Sequence, residues 1–115
     1  DIYYYFTERI AEARALGIND LILDLGFGFA KTRKQNFELL DQLEVFKSLD
    51  LPILTGVSRK SMIYKTLGIK ASEALNGTTV LHSIALERGS NIIRAHDVKE
   101  AMECIRILQE LPSFS

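Results

Sequence analysis

The sequence predicts an α/β fold in which three short parallel strands alternate with helices. Three apolar runs, at residues 21–24, 53–57 and 91–95, predict the strands, and each is followed by glycine or charged residues. Apolar residues three or four positions apart, before, between and after these runs, predict amphipathic helices. Such an alternation favours right-handed crossovers, so we expect parallel strands covered by helices on both faces.

The boundaries of the first two helices are indicated by capping residues. Residues 1–16 have helical spacing, with Asp1 as a possible N-cap and Gly17 at the end. Thr32, with Gln35 three positions later, is typical of a capping box, and the helical spacing that follows predicts a helix that ends near Asp50. The tyrosines at 3–5 are predicted to pack on a neighbouring helix or on a missing part of the fold, rather than to stack on nucleobases.

The middle of the chain predicts a short helix over residues 62–67, ended by Gly68, and a longer one over residues 79–88, closed by Gly89. His82 lies within the second of these helices among apolar neighbours. With no acidic partner in the pattern, we interpret it as a structural or partly exposed residue and not as a member of a site.

The last helix is predicted to follow residues 91–95 directly. Asp97 and Glu100 have capping spacing, and Pro112 ends the pattern. Cys104 is expected on the flank of this helix. As the only cysteine, it cannot form an internal disulfide, and we therefore expect a reducing, cytoplasmic setting.

The composition is that of one ordinary globular domain. The chain has 115 residues, of which 47% are hydrophobic and 25% charged, and this length is enough to bury a real core. The 14 Lys and Arg nearly balance the 15 Asp and Glu, which argues against nucleic-acid binding driven by global charge. No apolar run approaches about 18 residues, so no membrane-spanning segment is expected. Three strands leave two bare sheet edges, which predicts part of a larger barrel or doubly wound sheet.

Polar residues follow all three predicted strands. In parallel α/β folds the carboxyl ends of the strands share one rim, so these side chains are expected to meet. One carboxylate facing several cations suits a ligand that combines a donor-rich heterocycle with an anion, and glycines allow close backbone approach. The candidates are Asp24 with the loop containing Gly28 and Phe29, then Ser58, Arg59 and Lys60, then Arg94, His96 and Asp97.

Purely structural roles for these residues remain open. A strand-end Asp is often only a cap, and Arg59 with Lys60 could form a solvated turn. The two glycines at 26 and 28 do not complete a dinucleotide fingerprint, because Lys31 stands where the third glycine would be. The agreement of three strand ends favours a site.

Three segments in order resemble the motifs of the dihydropteroate synthase family. Residues 24–32 (DLGFGFAKT) resemble its D-P-G-F-G-F-x-K-T segment, residues 56–62 (GVSRKSM) its G-x-S-R-K-S-M segment, and residues 94–98 (RAHDV) its R-V-H-D-V segment. The resemblance covers essentially the whole chain. It implies that residues 1–115 form the C-terminal part of a pterin-binding TIM (β/α)8 barrel, with about three strands and their flanking helices.

The resemblance also implies an activity, the condensation of 6-hydroxymethyl-7,8-dihydropterin pyrophosphate with p-aminobenzoate to give 7,8-dihydropteroate in folate biosynthesis. By motif, Asp24 and Lys60 would bind the pterin. Arg94 and His96 would hold the pyrophosphate, whereas p-aminobenzoate, which sulfonamides imitate, would contact a set from two loops. That set comprises Gly28, Phe29, Ser58 and Arg59.

Family membership implies further partners. Magnesium would assist the pyrophosphate leaving group, with its ligands expected in the family's first strands and none in this chain. A homodimer is expected by resemblance alone, with no nucleic-acid or membrane partner.

Two positions depart from the family pattern, Leu25 in place of proline and Ala95 in place of valine. Leu25 should loosen the turn after Asp24 without removing a polar contact. Two alternatives stay open: a pterin-binding domain that uses methyltetrahydrofolate as a methyl donor, and a non-catalytic half-barrel partner of an intact synthase. The isolated chain is expected to be inactive if the missing strands are indispensable.

Overall fold

The computed structural model describes residues 2–29 and 31–114, and Asp1, a predicted N-cap, lies outside them. Within these described residues, five α-helices and three strands alternate, with two 3₁₀ helices between them. In chain order the elements are α1 (Ile2–Ala15), β1 (Leu23–Asp24), α2 (Arg33–Asp41), the first 3₁₀ helix (Leu43–Leu49), β2 (Ile53–Thr55), α3 (Ser61–Leu67), the second 3₁₀ helix (Ala71–Glu73), α4 (Leu75–Glu87), β3 (Ile92–Ile93) and α5 (Val98–Leu108).

The three strands form one parallel sheet in the order β1-β2-β3. Leu23 pairs with Ile53, and Leu54 with Ile92. The predicted parallel sheet is therefore confirmed, and within the described residues it ends at β1 and β3. The strands are shorter than the apolar runs that predict them. Ahead of β3, for example, the side chain of Asn91 accepts the backbone N–H of Ile53 in place of a ladder bond.

The main core lies between the sheet and the helices that cover it. Leu23 and Ile53 of the strands are buried with side chains from α2, α3 and α4 and with Phe46 of the first 3₁₀ helix. A smaller cluster of Leu86, Cys104 and Leu108 joins α4 to α5. Burial of these apolar side chains supplies the main driving force that fixes each strand end against its helix.

Local sequence signals are confirmed at several boundaries. Thr32 and Gln35 make both bonds of the predicted capping box. Gly17, with φ +83°, follows α1, and Gly68 is the left-handed C-cap of α3. The three tyrosines near the start of α1 differ in their packing. Tyr3 packs on Phe46 at 5.9 Å between ring centroids, whereas Tyr4 and Tyr5 are more than half exposed.

Two helix boundaries differ from the sequence prediction. The helix predicted to run to about Asp50 stops at Asp41 and continues as the first 3₁₀ helix. Helix α4 begins at Leu75, ahead of the predicted start at residue 79, and includes Gly77. A Cβ on Gly77 would lie 2.5 Å from Ile63 Cγ2, so the glycine serves close packing of α3 on α4 and does not break the helix.

Among the helices that the described residues form, none combines the length and the hydropathy needed to cross a membrane.

Candidate functional site

The loops after the three strands meet at one edge of the sheet, as the sequence predicts. Contacts between residues far apart in the chain show this convergence. Arg94 reaches Asp24, Lys60 reaches the carbonyl of Phe27, and His96 reaches Ser58. Seven of the nine predicted site residues are joined in this way or by contact with Lys60, whereas Arg59 and Asp97 bind each other.

Asp24 is held by its own loop and remains accessible. One carboxylate oxygen accepts the backbone N–H of Gly26 at 3.0 Å, in an Asx-type turn that Gly26 completes with φ +68°. The other oxygen lies 3.1 Å from Arg94 Nη2. The side chain is 44% exposed, so an incoming ligand can replace the arginine as its donor.

The glycine-rich loop, residues 26–29, is held in place by the buried side chain of Asn36. Asn36 Oδ1 accepts the N–H of Gly28 at 2.8 Å, and its amide donates to the carbonyl of Thr32 at 3.1 Å. Gly28 has φ +86°, and a Cβ there would lie 3.1 Å from Lys60 Cδ. The loop therefore needs glycine at this position both for its backbone conformation and for the approach of Lys60.

Lys60 lies across the glycine-rich loop. Its Nζ donates to the carbonyl of Phe27 and lies 5.0 Å from the ring centroid of Phe29, a cation–π distance. Burial, followed by the nearby Arg94 guanidinium, lowers the pKa of Lys60 below its usual value, while Asp24 opposes the shift. The amine can donate to a ligand placed against the exposed ring of Phe29.

Arg94 covers Gly56, at the end of β2. A Cβ on Gly56 would lie 3.2 Å from Arg94 Nη1, so the absence of a side chain at Gly56 leaves room for the guanidinium. The backbone N–H of Arg94 donates to the carbonyl of Thr55, which extends the pairing of β2 with β3. The Arg94 side chain is 59% exposed and can turn toward an anion.

Ser58 anchors His96 in the same cluster. The Ser58 hydroxyl, which is buried, accepts the backbone N–H of His96 at 3.2 Å and lies 3.0 Å from its Nδ1. This double contact fixes the main chain and the ring of His96 and leaves the residue exposed at the rim.

Arg59 bonds to a different set of residues. Its guanidinium makes two bonds to Asp97, at 2.8 and 3.0 Å, and donates to the carbonyls of Ala71 and Ser72. The ion pair with Arg59 lowers the pKa of the Asp97 carboxyl. Asp97 is the N-cap residue of α5, as predicted, but its carboxylate bonds to Arg59 and makes no capping bond to the N-terminus of the helix.

Comparison with known proteins places this arrangement in a family. The profile of the family described as "pterin binding enzyme" matches residues 1–96. The chain belongs to the family of pterin-binding enzymes.

Individual relatives of this family carry a narrower name. The chain is 43% identical over 111 residues to the dihydropteroate synthase of Escherichia coli K12, an alignment that covers 95% of the chain and 39% of that protein. It is 36% identical over 107 residues to a bifunctional dihydropteroate synthase/dihydropteroate reductase of Helicobacter pylori, covering 93% of the chain and 28% of that protein. The resemblance drawn from the three motifs is confirmed.

Solved structures agree with the curated relatives. The dihydropteroate synthase of Yersinia pestis matches with a TM-score of 0.89 and 39% identity, covering 93% of this chain and 51% of that one. That of Stenotrophomonas maltophilia matches with a TM-score of 0.93 and 33% identity, covering 99% and 44%. These proteins are TIM barrels, so the predicted fold is confirmed, and the chain spans about two fifths to half of their length.

Two residues that support this site were not predicted from the sequence. Asn36 is a polar residue on the buried face of an otherwise apolar helix stripe, a signal that could have marked it. Thr78 accepts the backbone N–H of Arg59 at 3.0 Å from within α4, and no local pattern indicates that role.

Among the described residues, no group of three or more His, Cys, Asp or Glu side chains is placed to hold a metal ion. Asp24, the carboxylate of the site, faces arginine and lysine and not further carboxylates. The expected magnesium, with its ligands outside this chain, stays a prediction.

Proposed function

We propose that this chain supplies the pterin-binding and p-aminobenzoate-binding part of a dihydropteroate synthase active site. The reaction joins 6-hydroxymethyl-7,8-dihydropterin pyrophosphate to p-aminobenzoate and releases pyrophosphate. The observation that carries the proposal is the convergence of Asp24, Lys60 and Arg94 at one sheet edge. Because the chain spans about two fifths of the E. coli synthase, activity is proposed for a complete barrel that contains it.

Asp24 and Lys60 provide the pterin contacts in this proposal. A carboxylate accepts paired N–H bonds from the amino-pyrimidine edge, and Asp24 has an oxygen available once Arg94 is displaced. Lys60 Nζ donates to the carbonyl and ring-nitrogen side of the pterin, and the ring of Phe29 offers a flat apolar face. Similar structures that contain pteroic acid, such as that from Coxiella burnetii, support this ligand class.

Arg94 and His96 receive the pyrophosphate. As pyrophosphate leaves, the pterin becomes a cation that the arylamine of p-aminobenzoate attacks, so the site must stabilise separating charges. Arg94 serves the anion, and Asp24 the cationic ring. p-Aminobenzoate would lie beside Ser58 and the glycine-rich loop. No step is assigned to magnesium on this chain, and a homodimer and a cytoplasmic location remain predictions.

Calorimetric titration of the chain with dihydropterin pyrophosphate and magnesium tests the proposal. We expect binding that disappears in Asp24→Ala. The matched control is Asp20→Ala, which removes the same charge from an exposed position before β1 and should leave binding unchanged.

A folded chain that binds nothing requires a second titration, with the N-terminal part of the E. coli synthase added. Binding restored by that addition supports the proposal, since the missing strands then complete the pocket. No binding in either titration contradicts it. If adding this chain instead inhibits an intact synthase, the alternative of a non-catalytic partner is favoured.

A further inference from the structure

The Arg59 guanidinium is almost fully occupied by the protein itself. Of its five N–H donors, Nε–H and one on Nη2 go to Asp97, and Nη1 donates to the carbonyls of Ala71 and Ser72. The Arg59 and Asp97 side chains are each only 23% exposed. An arginine held in this way has little left to offer an anionic ligand.

The backbone of Arg59 is also held in an unusual conformation. Its φ of +53° lies in the left-handed region, which residues other than glycine rarely occupy. The Thr78 hydroxyl accepts the Arg59 N–H and donates to the carbonyl of Ala74. Such a conformation persists only when surrounding contacts fix it, and here the contacts come from α4, from the second 3₁₀ helix and from the residue before α5.

The two neighbours of Arg59 in the chain belong to the proposed ligand site. Ser58 anchors His96, and Lys60 crosses the glycine-rich loop to the carbonyl of Phe27. The left-handed turn at Arg59 lies between these two contacts, while its own guanidinium bonds to Asp97 and to the carbonyls of Ala71 and Ser72. A change of backbone conformation at Arg59 would move both neighbours together.

We propose that Arg59 is a positioning residue that, with Asp97 and Thr78, holds Ser58 and Lys60 in the ligand site, and that its guanidinium does not bind the ligand. We call these three residues the Arg59 staple. The inference rests on the proposed function for the identity of the ligand, but the staple itself is defined by contacts within the chain. It replaces the p-aminobenzoate contact that the sequence predicts for Arg59.

Asp97→Asn separates the two roles because they predict opposite changes. If Arg59 bound the anion directly, removal of the competing carboxylate would free the guanidinium and tighten binding. If Arg59 positions its neighbours, the affinity for pteroic acid, measured by calorimetry on the chain, should fall at least about tenfold. Glu100→Gln is the control, since Glu100 raises the pKa of Arg59 through charge alone and forms no hydrogen bond with it.

Arg59→Lys and the Thr78 variants extend the test. Lysine keeps the charge but cannot make four bonds in a fork, so we expect Arg59→Lys to lose as much affinity as Asp97→Asn, and the double variant to lose no more. Thr78→Val should weaken binding, and Thr78→Ser, which keeps the hydroxyl, should restore it. Near-normal binding by Arg59→Lys would overturn the inference.

Amide hydrogen exchange gives a measurement that needs no ligand. In Asp97→Asn we expect faster exchange at the backbone N–H of Arg59 and of His96, with the amides in the middle of α4 unchanged. Unchanged protection at both sites would overturn the staple, whatever the ligand. A wild-type chain that shows the staple in exchange but binds no pteroic acid, either alone or with the N-terminal part of the E. coli synthase added, would instead count against the proposed function alone.

Discussion

The Asp24 carboxylate and the Arg94 guanidinium lie 3.1 Å apart although 70 residues separate them in the chain. Both side chains are about half exposed, and an exposed ion pair of this kind contributes only about 0–1 kcal/mol to stability. The pair therefore contributes little to the fold, and in the proposed function each member would neutralise the other until a ligand with a donor edge and an anionic group separates them.

Asp24→Asn should change binding without changing stability much. We expect the free energy of unfolding to fall by no more than about 1 kcal/mol, since only an exposed pair is lost. Binding of dihydropterin pyrophosphate should weaken at least about tenfold, because the amide loses the charge and one of the two acceptors. Urea unfolding and calorimetry measure the two effects, and a large loss of stability with normal binding would contradict the assignment.

Lys60→Ala and Arg94→Ala should each reduce kcat/KM at least about tenfold in a complete barrel that contains this chain, such as a fusion to the N-terminal part of the E. coli synthase. Tenfold corresponds to about 1.4 kcal/mol of lost transition-state stabilisation. His82→Gln is the control and should leave turnover near that of the wild type. Unchanged kinetics in both alanine variants would remove these residues from the site.

Gly28→Ala should weaken ligand binding, whereas Gly17→Ala should not. Both glycines have a left-handed backbone, with φ of +86° and +83°, so an alanine at either position carries a similar strain of about 1–2 kcal/mol. A Cβ at Gly17 meets nothing within 4 Å, whereas at Gly28 it lies 3.1 Å from Lys60 Cδ. Stability should fall alike in both variants, and only Gly28→Ala should weaken the affinity for pteroic acid.

Asn36→Ala should destabilise the chain by about 1–3 kcal/mol, because it removes two hydrogen bonds that are each worth about 0.5–1.5 kcal/mol. Asn36 is 2% exposed and accepts the N–H of Gly28. Lys34→Ala, at an exposed position on the same helix, is the control and should cost less than about 0.5 kcal/mol. Equal effects in urea unfolding would show that the Asn36 bond does not support the loop.

Stability should fall on acidification because of His82. This side chain is 2% exposed, its Nε2 has no hydrogen-bond partner among the described residues, and burial lowers its pKa below the usual 6.5. Between about pH 6.5 and the lower folded-state pKa, His82 is protonated in the unfolded chain but neutral in the folded chain. The free energy of unfolding therefore decreases as the pH falls through this range.

His82→Leu should remove this part of the pH dependence. Thermal unfolding followed between pH 5 and 8 measures the slope, in a range well above the pKa of Asp97, which the ion pair lowers. A wild-type slope that persists unchanged in His82→Leu would assign the effect to another group.

The order of elements and the location of the site were predictable because both depend on local patterns. Apolar spacing, the Thr32 capping box and the glycine at Gly68 act within a few residues, and the structure retains all of them. The convergence of polar residues at one edge follows from parallel strands alone. The start of α4 was predicted too late because Gly77 packs against Ile63 of α3, a contact that local propensity does not register.

What the sequence by itself determined is the family, the alternation of strands and helices and the residues that gather at the sheet edge. Only the tertiary structure decided which way each of those side chains points. Arg59 and Asp97 are 38 residues apart, and both carried predicted roles, as a ligand contact and as a helix cap. Packing placed them within hydrogen-bond distance, so the Asp97 carboxylate bonds to Arg59 and not to the N-terminus of α5.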